Sequence, residues 1–378
     1  MTAGRVRTWA ANLALLAVST AAAFSIAEAA VRALGWAPRY GPMAWISNAE
    51  GSVKAGTIAL LAYPSDPRGY FPLDLRDEAT RRRYEGLGVR HLADVVVSSP
   101  HAIEYRFNSL AFRGGDVPPR RPGVVRIAIV GDSFTLGWGV REEDAGPVIL
   151  DALLRPAGFE VLNCGRAGAD FPLLNDVFDK ALRTEPDLVV YAMVLNDPDR
   201  SDLMKERLRA GALRGANNLF VPGRSLAPPR PLLESRLAAL VADRFETWRT
   251  REEMVRWHLD LYAEANRRGW SRTRDAVRGM ADTMRARQGR FVVALWPLLA
   301  DLDGNYPFQP IHTEVGDFCR RAGIPFHDSL PAFRGRRTAD LWAHPIDRHP
   351  NEVAQRIFAQ SLAKALPGLV ADRAPHLK

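Results

Sequence analysis

Hydrophobic positions along this chain fall into three regimes. From Thr8 to Ala27 the residues are uncharged and mostly Ala, Leu and Val. A helix over such a run rises about 30 Å, the depth of a hydrocarbon core. Residues 28–124 follow, rich in Pro, Gly and aromatics and without a sustained period. They predict an irregular membrane-proximal segment that packs on the main domain. From Val125 onward, short apolar runs alternate with amphipathic stretches. The runs Arg126–Val130, Phe159–Asn163, Leu188–Val194, Phe291–Trp296 and Ile324–His327 predict strands covered on both faces. Glu143–Leu154 and Phe171–Arg183 predict helices between them. A last helix is expected from His349-Pro350-Asn351, with Pro350 in its first turn and a stripe of Val353, Ile357, Phe358 and Leu362 facing the core. This alternation predicts an α/β domain over residues 125–370, a three-layer α/β/α sandwich around a mainly parallel sheet of about five strands.

The interval 198–289 is too long for one crossover. Leu233, Leu237, Leu240, Val241, Phe245 and Trp248 recur at helical spacing, as do Met254, Trp257, Leu261 and Ala265, then Val277, Met280, Ala281 and Met284. These predict a helical insertion above the carboxyl edge of the sheet, serving either as a lid or as an added packing layer. Trp248, Trp257 and Trp270 read as its packing anchors.

Arg5 and Arg7 precede the apolar run and Glu28 follows it. The positive-inside tendency then makes 1–7 a cytoplasmic tail and 8–27 a transmembrane signal-anchor. The body would lie on the periplasmic side of an inner membrane. Ala27-Glu28-Ala29 resembles a peptidase site, which would instead release a secreted protein. A cleaved signal has an apolar core of about 7–15 residues, shorter than this one, so a retained anchor is the expectation.

Composition narrows the classes. Hydrophobic residues at 47% and charged residues at 25% suit a globular protein. The net charge of +8 is spread in short clusters such as Arg81-Arg82-Arg83 and Arg334 to Arg337, interleaved with acids. No nucleic-acid-binding face is implied. Two cysteines, Cys164 and Cys319, make neither a disulfide framework nor a zinc site, and no bridge between them is expected.

Four blocks at strand or helix boundaries carry candidate chemistry. Gly131-Asp132-Ser133 ends the first strand and lifts a serine hydroxyl clear of the sheet; serine needs a neighbouring base to become nucleophilic. Asn163-Cys164-Gly165-Arg166-Ala167-Gly168 ends the second, where glycines let the backbone approach a substrate. Val194-Leu195-Asn196-Asp197 ends the third and offers a side-chain amide. Asp347-Arg348-His349-Pro350-Asn351 supplies an imidazole with a carboxylate close by. Singly each is common: Asn-Asp is usually a turn, and a histidine before a helix is usually a surface or capping residue. A metal site at His344, Asp347 and His349 lacks a further ligand, no dinucleotide or Walker motif is present, and His258 and His312 read as structural.

Together and in this order, the four blocks resemble the SGNH hydrolases, also called the GDSL family, over about residues 125–366. The stretch Phe107-Asn108-Ser109-Leu110-Ala111-Phe112-Arg113 and the apolar N-terminus resemble exported, membrane-anchored bacterial members. The resemblance implies Ser133 as nucleophile and His349 as general base and acid, with Asp347 orienting the imidazole. It implies an oxyanion hole of the Ser133 and Gly168 N–H groups and the Asn196 amide. It implies no metal and no organic cofactor. The expected substrate is a short acyl ester, with an acylated envelope glycan preferred. An O-acyltransferase, a lipase and a non-catalytic envelope binding component are the alternatives; oligomeric state stays open. Two departures are visible. Asp347 and His349 are spaced Asp-x-His where many members have Asp-x-x-His, and Val194 replaces the usual glycine before the third block. Two residues apart in an extended segment, Asp347 and His349 share a face; a backbone carbonyl or Asp340 is the alternative partner for the imidazole.

Overall fold

The computed structural model describes residues 3–34, 44–47, 53–62, 73–74, 101–209, 235–344 and 347–370. The chain divides into two compact units, Met1–Tyr40 with Leu213–Met254, and Gly41–Ala212 with Val255–Lys378.

In the first unit a helix runs over Ala3–Ala33. Its segment Thr8–Ala33 is long and apolar enough to cross a membrane or to act as a signal. Trp9, Leu13, Leu16, Phe24 and Ile26 are all exposed on it. Near its end, Glu28 pairs with Arg32 at 2.6 Å and reaches the start of a second helix, Arg236–Tyr262. The Glu28 carboxylate accepts from the Ser235 hydroxyl at 2.9 Å and from the backbone N–H groups of Arg236 and Leu237 at 3.0 and 2.8 Å. The first N–H groups of a helix have no intrahelical partner, so this carboxylate acts as their cap.

The second unit contains the mainly apolar strands. Residues 28–124, read from sequence as irregular, include four antiparallel strands: β1 (Ala44–Ser47), β2 (Ile58–Ala62), β3 (Leu73–Asp74) and β4 (His101–Arg106), in the order β1-β2-β4-β3. Their period-2 signal is confined to very short runs. Ala59 and Leu61 on β2 and Ile103 and Tyr105 on β4 point to one buried face, joined by Phe107 and Leu136.

The central sheet is parallel. It comprises β5 (Val125–Gly131), β6 (Phe159–Gly165), β7 (Leu188–Met193), β8 (Arg290–Leu295) and β9 (Phe326–Asp328), in the order β6-β5-β7-β8-β9. The chain leaves β5 towards β6, then returns past β5 to β7. Right-handed crossovers therefore put helix Gly146–Leu154 on one face and Leu173–Leu182, Arg267–Ala286 and Gln309–Ala322 on the other. The last helix, Glu352–Val370, packs beside Gly146–Leu154. The result is the expected α/β/α sandwich. The reversal of strand order at β5 is a switch point, where open sheets of this kind bind ligands beyond the carboxyl ends of the strands.

Three local expectations shift. A 3-10 turn over Glu142–Asp144 precedes the helix expected from Glu143. The last helix starts at Glu352, because Asn351 caps it through Oδ1, which accepts the N–H groups of Val353 and Ala354 at 3.1 Å each. Pro350 instead ends a strand, β11 (Asp347–Pro350), which forms an antiparallel hairpin with β10 (Trp342–His344). Within the interval 198–289, helices cover Ser201–Arg209, Arg236–Tyr262 and Arg267–Ala286. Trp257, Leu261 and Trp270 are buried, whereas Val241 is 61% exposed. The side chains of Phe245 and Trp248 lie outside the described residues. Both cysteines are buried and free.

Candidate active site

β5 ends at Gly131 and the chain turns at once into a one-turn helix, Ser133–Leu136. The turn is tight. A Cβ at Gly131 would come within 2.2 Å of Thr135 Oγ1 and 2.8 Å of the Ala192 carbonyl, and one at Gly165 within 2.1 Å of the Leu136 nitrogen. Asp132 caps the turn, accepting the Phe134 N–H at 2.8 Å. Ser133 is thereby fixed above the strand ends, largely buried.

The hairpin after β10 brings the C-terminal block to it. Ser133 Oγ lies 2.8 Å from His349 Nε2, and His349 Nδ1 hydrogen-bonds Asp347 Oδ1. A carboxylate only accepts, so Nδ1 carries the proton and Nε2 accepts from the serine hydroxyl. Extended backbone in β11 puts Asp347 and His349 on one face, and the His349 backbone N–H also donates to Asp347 Oδ1, at 3.1 Å. Asp340 instead pairs with Arg337. The second Asp347 oxygen accepts the Trp138 indole N–H at 2.9 Å. Phe134 and Trp138 pack against the imidazole with ring centres 5.6 and 5.8 Å away.

Burial works against a charged imidazole here. The Asp347 carboxylate, its hydrogen bond and the more distant Asp132 charge outweigh that, and His349 is held above the usual histidine value. Burial also raises the Asp132 carboxyl, to about 6, against the opposing Phe134 N–H and His349. The arrangement can take a proton from Ser133 and return one to a leaving group.

Gly168 and Asn196 lie just past the strands that flank β5. In register Gly131 pairs with Gly165 on one side and Ala192 on the other, so all three loops open at one edge. Gly168 has φ +73 and open space before its α-carbon. Asn196 is buried. Their loops are tied together: the Phe171 N–H donates to the Asp197 carbonyl at 2.9 Å, and Arg200 pairs with Asp170 at 2.9 Å. The Asp197 carboxyl accepts from Tyr191 Oη–H at 2.7 Å and the Val194 N–H at 2.9 Å; burial holds it well above the ordinary carboxylate value.

A groove of about 500 Å³ lies elsewhere, between helix Gln309–Ala322 and β9. Its His312 donates Nδ1–H to Asp328 at 2.8 Å and accepts the Tyr306 hydroxyl at 3.2 Å on Nε2. Both ring nitrogens are thus occupied by neighbours, which makes this a structural network. His258 stacks edge-on against Phe308.

Sequence comparison now adds a decisive match. The profile of the GDSL-like Lipase/Acylhydrolase family covers residues 129–357, more than half of the chain. The protein belongs to this family. As a GDSL-type serine hydrolase it has the parallel sheet and the strand-end serine that the fold supplies. Among solved structures it is similar to an esterase from Pseudoalteromonas sp. at 12% identity, covering 65% of this chain and 98% of that one with a TM-score of 0.38. It is similar also to an acetylxylan esterase from Geobacillus stearothermophilus at 13% identity, covering 65% and 95% with a TM-score of 0.38. No curated protein matches the chain. The GDSL match begins at residue 129, so Tyr105 and Arg113, which pack beneath the serine turn, lie outside it. Sequence reading passed over Trp138 and Tyr105; the only signal was an aromatic set between Gly137 and Gly139 just past the serine.

Proposed function

We propose that this hydrolase cleaves short acyl esters through an acyl-serine intermediate. The observation that carries the reading is the hydrogen-bonded chain from Ser133 Oγ through His349 to Asp347. Ser133 Oγ attacks the ester carbonyl as its proton passes to His349 Nε2. The carbonyl π electrons become an oxyanion, held by the N–H groups of Ser133 and Gly168 and the Asn196 amide. Collapse breaks the bond to the alcohol oxygen, which takes the proton from His349 and leaves. Water then gives its proton to His349 and attacks the acyl carbon, and the second collapse returns that proton to Ser133 as the carboxylic acid departs. Asp347 keeps the proton-bearing nitrogen turned away from Ser133 and balances the imidazolium in each half.

The apolar segment Thr8–Ala33 of the first helix, preceded by Arg5 and Arg7, is in this reading a retained anchor with the catalytic unit on the extracytoplasmic side. Acyl groups on envelope glycans, acetyl among them, are the esters such an enzyme meets. The test is hydrolysis of p-nitrophenyl acetate by the full chain in detergent, with labelling by a serine-reactive phosphonate. Turnover and labelling in the parent, both lost in Ser133→Ala, are expected. Turnover that survives Ser133→Ala, or a parent that neither turns over nor takes the label, overturns the reading.

A further inference from the structure

The site's acid is held from a direction that the four sequence blocks do not supply. Asp347 gives one oxygen to His349 and the other to the indole N–H of Trp138, 2.9 Å away. Trp138 sits in a loop between two left-handed glycines, Gly137 at φ +77 and Gly139 at φ +81. Its own N–H donates to the Ser133 carbonyl at 3.0 Å, so nucleophile and indole share one short, rigid segment.

That segment is gripped from below by residues of the antiparallel sheet and the turn after it. The Gly139 N–H donates to Tyr105 Oη at 2.8 Å. Arg113 Nη1 donates to the Gly137 carbonyl at 2.7 Å, and Nη2 to the Val140 carbonyl at 2.9 Å. The Arg113 guanidinium lies over the Tyr105 ring, 4.1 Å from its centre, and the Tyr105 and Trp138 ring centres are 6.0 Å apart. Tyr105 and Arg113 are both buried. Burial lifts the Tyr105 hydroxyl to about 12, so it stays neutral. Buried carbonyls and a buried guanidinium that satisfy one another in this way hold a unique geometry. Asn108 fixes the turn that delivers Arg113, its Oδ1 accepting from the N–H groups of Leu110 and Phe112 at 3.0 Å each.

We propose that Trp138 is the positioning residue of the Asp347 carboxylate, and that Tyr105 and Arg113, from outside the matched hydrolase region, set Trp138. This rests on the acyl-serine reading above. The indole N–H fixes rotation of the Asp347 carboxylate, so that Oδ1 stays on His349 Nδ1 while the imidazole gains and loses a proton. Without it the carboxylate turns, the imidazole loses its orienting partner, and burial of the ring then pulls its titration down.

The test compares the full-length parent, Ser133→Ala, Trp138→Phe and Tyr105→Phe. Trp138→Phe is expected to lower kcat about tenfold with KM little changed, the scale of one charge-assisted hydrogen bond. The acid limb of its kcat/KM profile should move to lower pH, and the far-downfield proton resonance of the His349 Nδ1–Asp347 bond should broaden or move upfield. Tyr105→Phe, which keeps both rings, should shift the same two readouts in the same sense by a smaller amount. A Trp138→Phe enzyme with parental kcat, acid limb and resonance, beside an inactive Ser133→Ala, overturns the positioning role and leaves the acyl-serine reading standing. A fully active Ser133→Ala removes that reading instead. If Trp138→Phe does not fold, Tyr105→Phe decides by the same readouts, and parental values there refute the grip.

Discussion

Replacing Asp347 by Asn keeps the side chain's shape and deletes its charge, and the surrounding donors dictate the outcome. Oδ1 now accepts from His349 Nδ1 and from the His349 backbone N–H, while Oδ2 accepts from Trp138. An amide has one accepting end and one donating end. With its oxygen toward His349 it keeps the proton on Nδ1, but turns its NH2 onto the indole N–H. With its oxygen toward Trp138 it satisfies the indole, but faces the His349 N–H with a donor and drives the imidazole proton to Nε2. That tautomer cannot accept from Ser133. Each arrangement mispairs one donor, at about 1–3 kcal/mol for a buried group, so neither dominates. The lost charge and the wrong tautomer act together, and a drop of about 10³–10⁴ in kcat is expected. Adding Trp138→Phe removes the mispairing from the productive arrangement only. The double variant should therefore regain about twofold over Asp347→Asn, the most that filling a half-populated arrangement allows, although Trp138→Phe alone is a loss. Steady-state hydrolysis of p-nitrophenyl acetate by the four enzymes measures the cycle. A double variant no faster than Asp347→Asn would refute the hydrogen-bond assignment.

Asn196→Ala should lower kcat by about 10²–10³ with folding intact, read from the same assay beside a urea melt. Only neutral imidazole can act as base, so kcat/KM should rise with pH along a limb centred above about 6.5, the ordinary histidine value. Asp132→Asn, which removes a charge that supports His349, should move that limb to lower pH. The same raised value bears on stability: the charged imidazole's contribution is full below about 6.5 and fades as pH rises through the folded value. Gly165→Ala drives a Cβ to 2.1 Å from the Leu136 nitrogen and 2.6 Å from the Thr135 carbonyl carbon. Backbone cannot yield as a flexible side chain does, so a loss of about 1–3 kcal/mol in urea unfolding is expected.

The parallel sheet was readable because its strands are covered on both faces and appear as continuous apolar runs, such as Ile127 to Val130 and Leu188 to Met193. The Asp347 to His349 contact was open to the sequence because residues two apart in an extended segment face the same way. A backbone carbonyl or Asp340 fitted as well, and only the bond itself and the Arg337 pairing of Asp340 separate them. The antiparallel sheet was not. Its strands are short, and Tyr105 is buried by partners far away in sequence, which no local period announces. Pro350 was misread because a proline suits both a helix start and a strand end, and the Asn351 cap decided between them. Trp138 was missed since its role is a contact 209 residues along the chain.

Glu28 closes one end of helix Arg236–Tyr262 from 208 residues upstream of its first turn. Any shortened chain that begins at Ala29, whether made by a signal peptidase or at the bench, discards the acid and leaves the Ser235 hydroxyl and two backbone donors without it. Removing a helix cap of this kind costs about 0.5–2 kcal/mol. A soluble version of this enzyme is therefore better begun upstream of Glu28, with the exposed apolar residues of that helix made polar, than cut behind it. Among the described residues the Glu28 carboxylate ties the apolar N-terminal helix to the start of helix Arg236–Tyr262, and trimming the first removes that tie from the second.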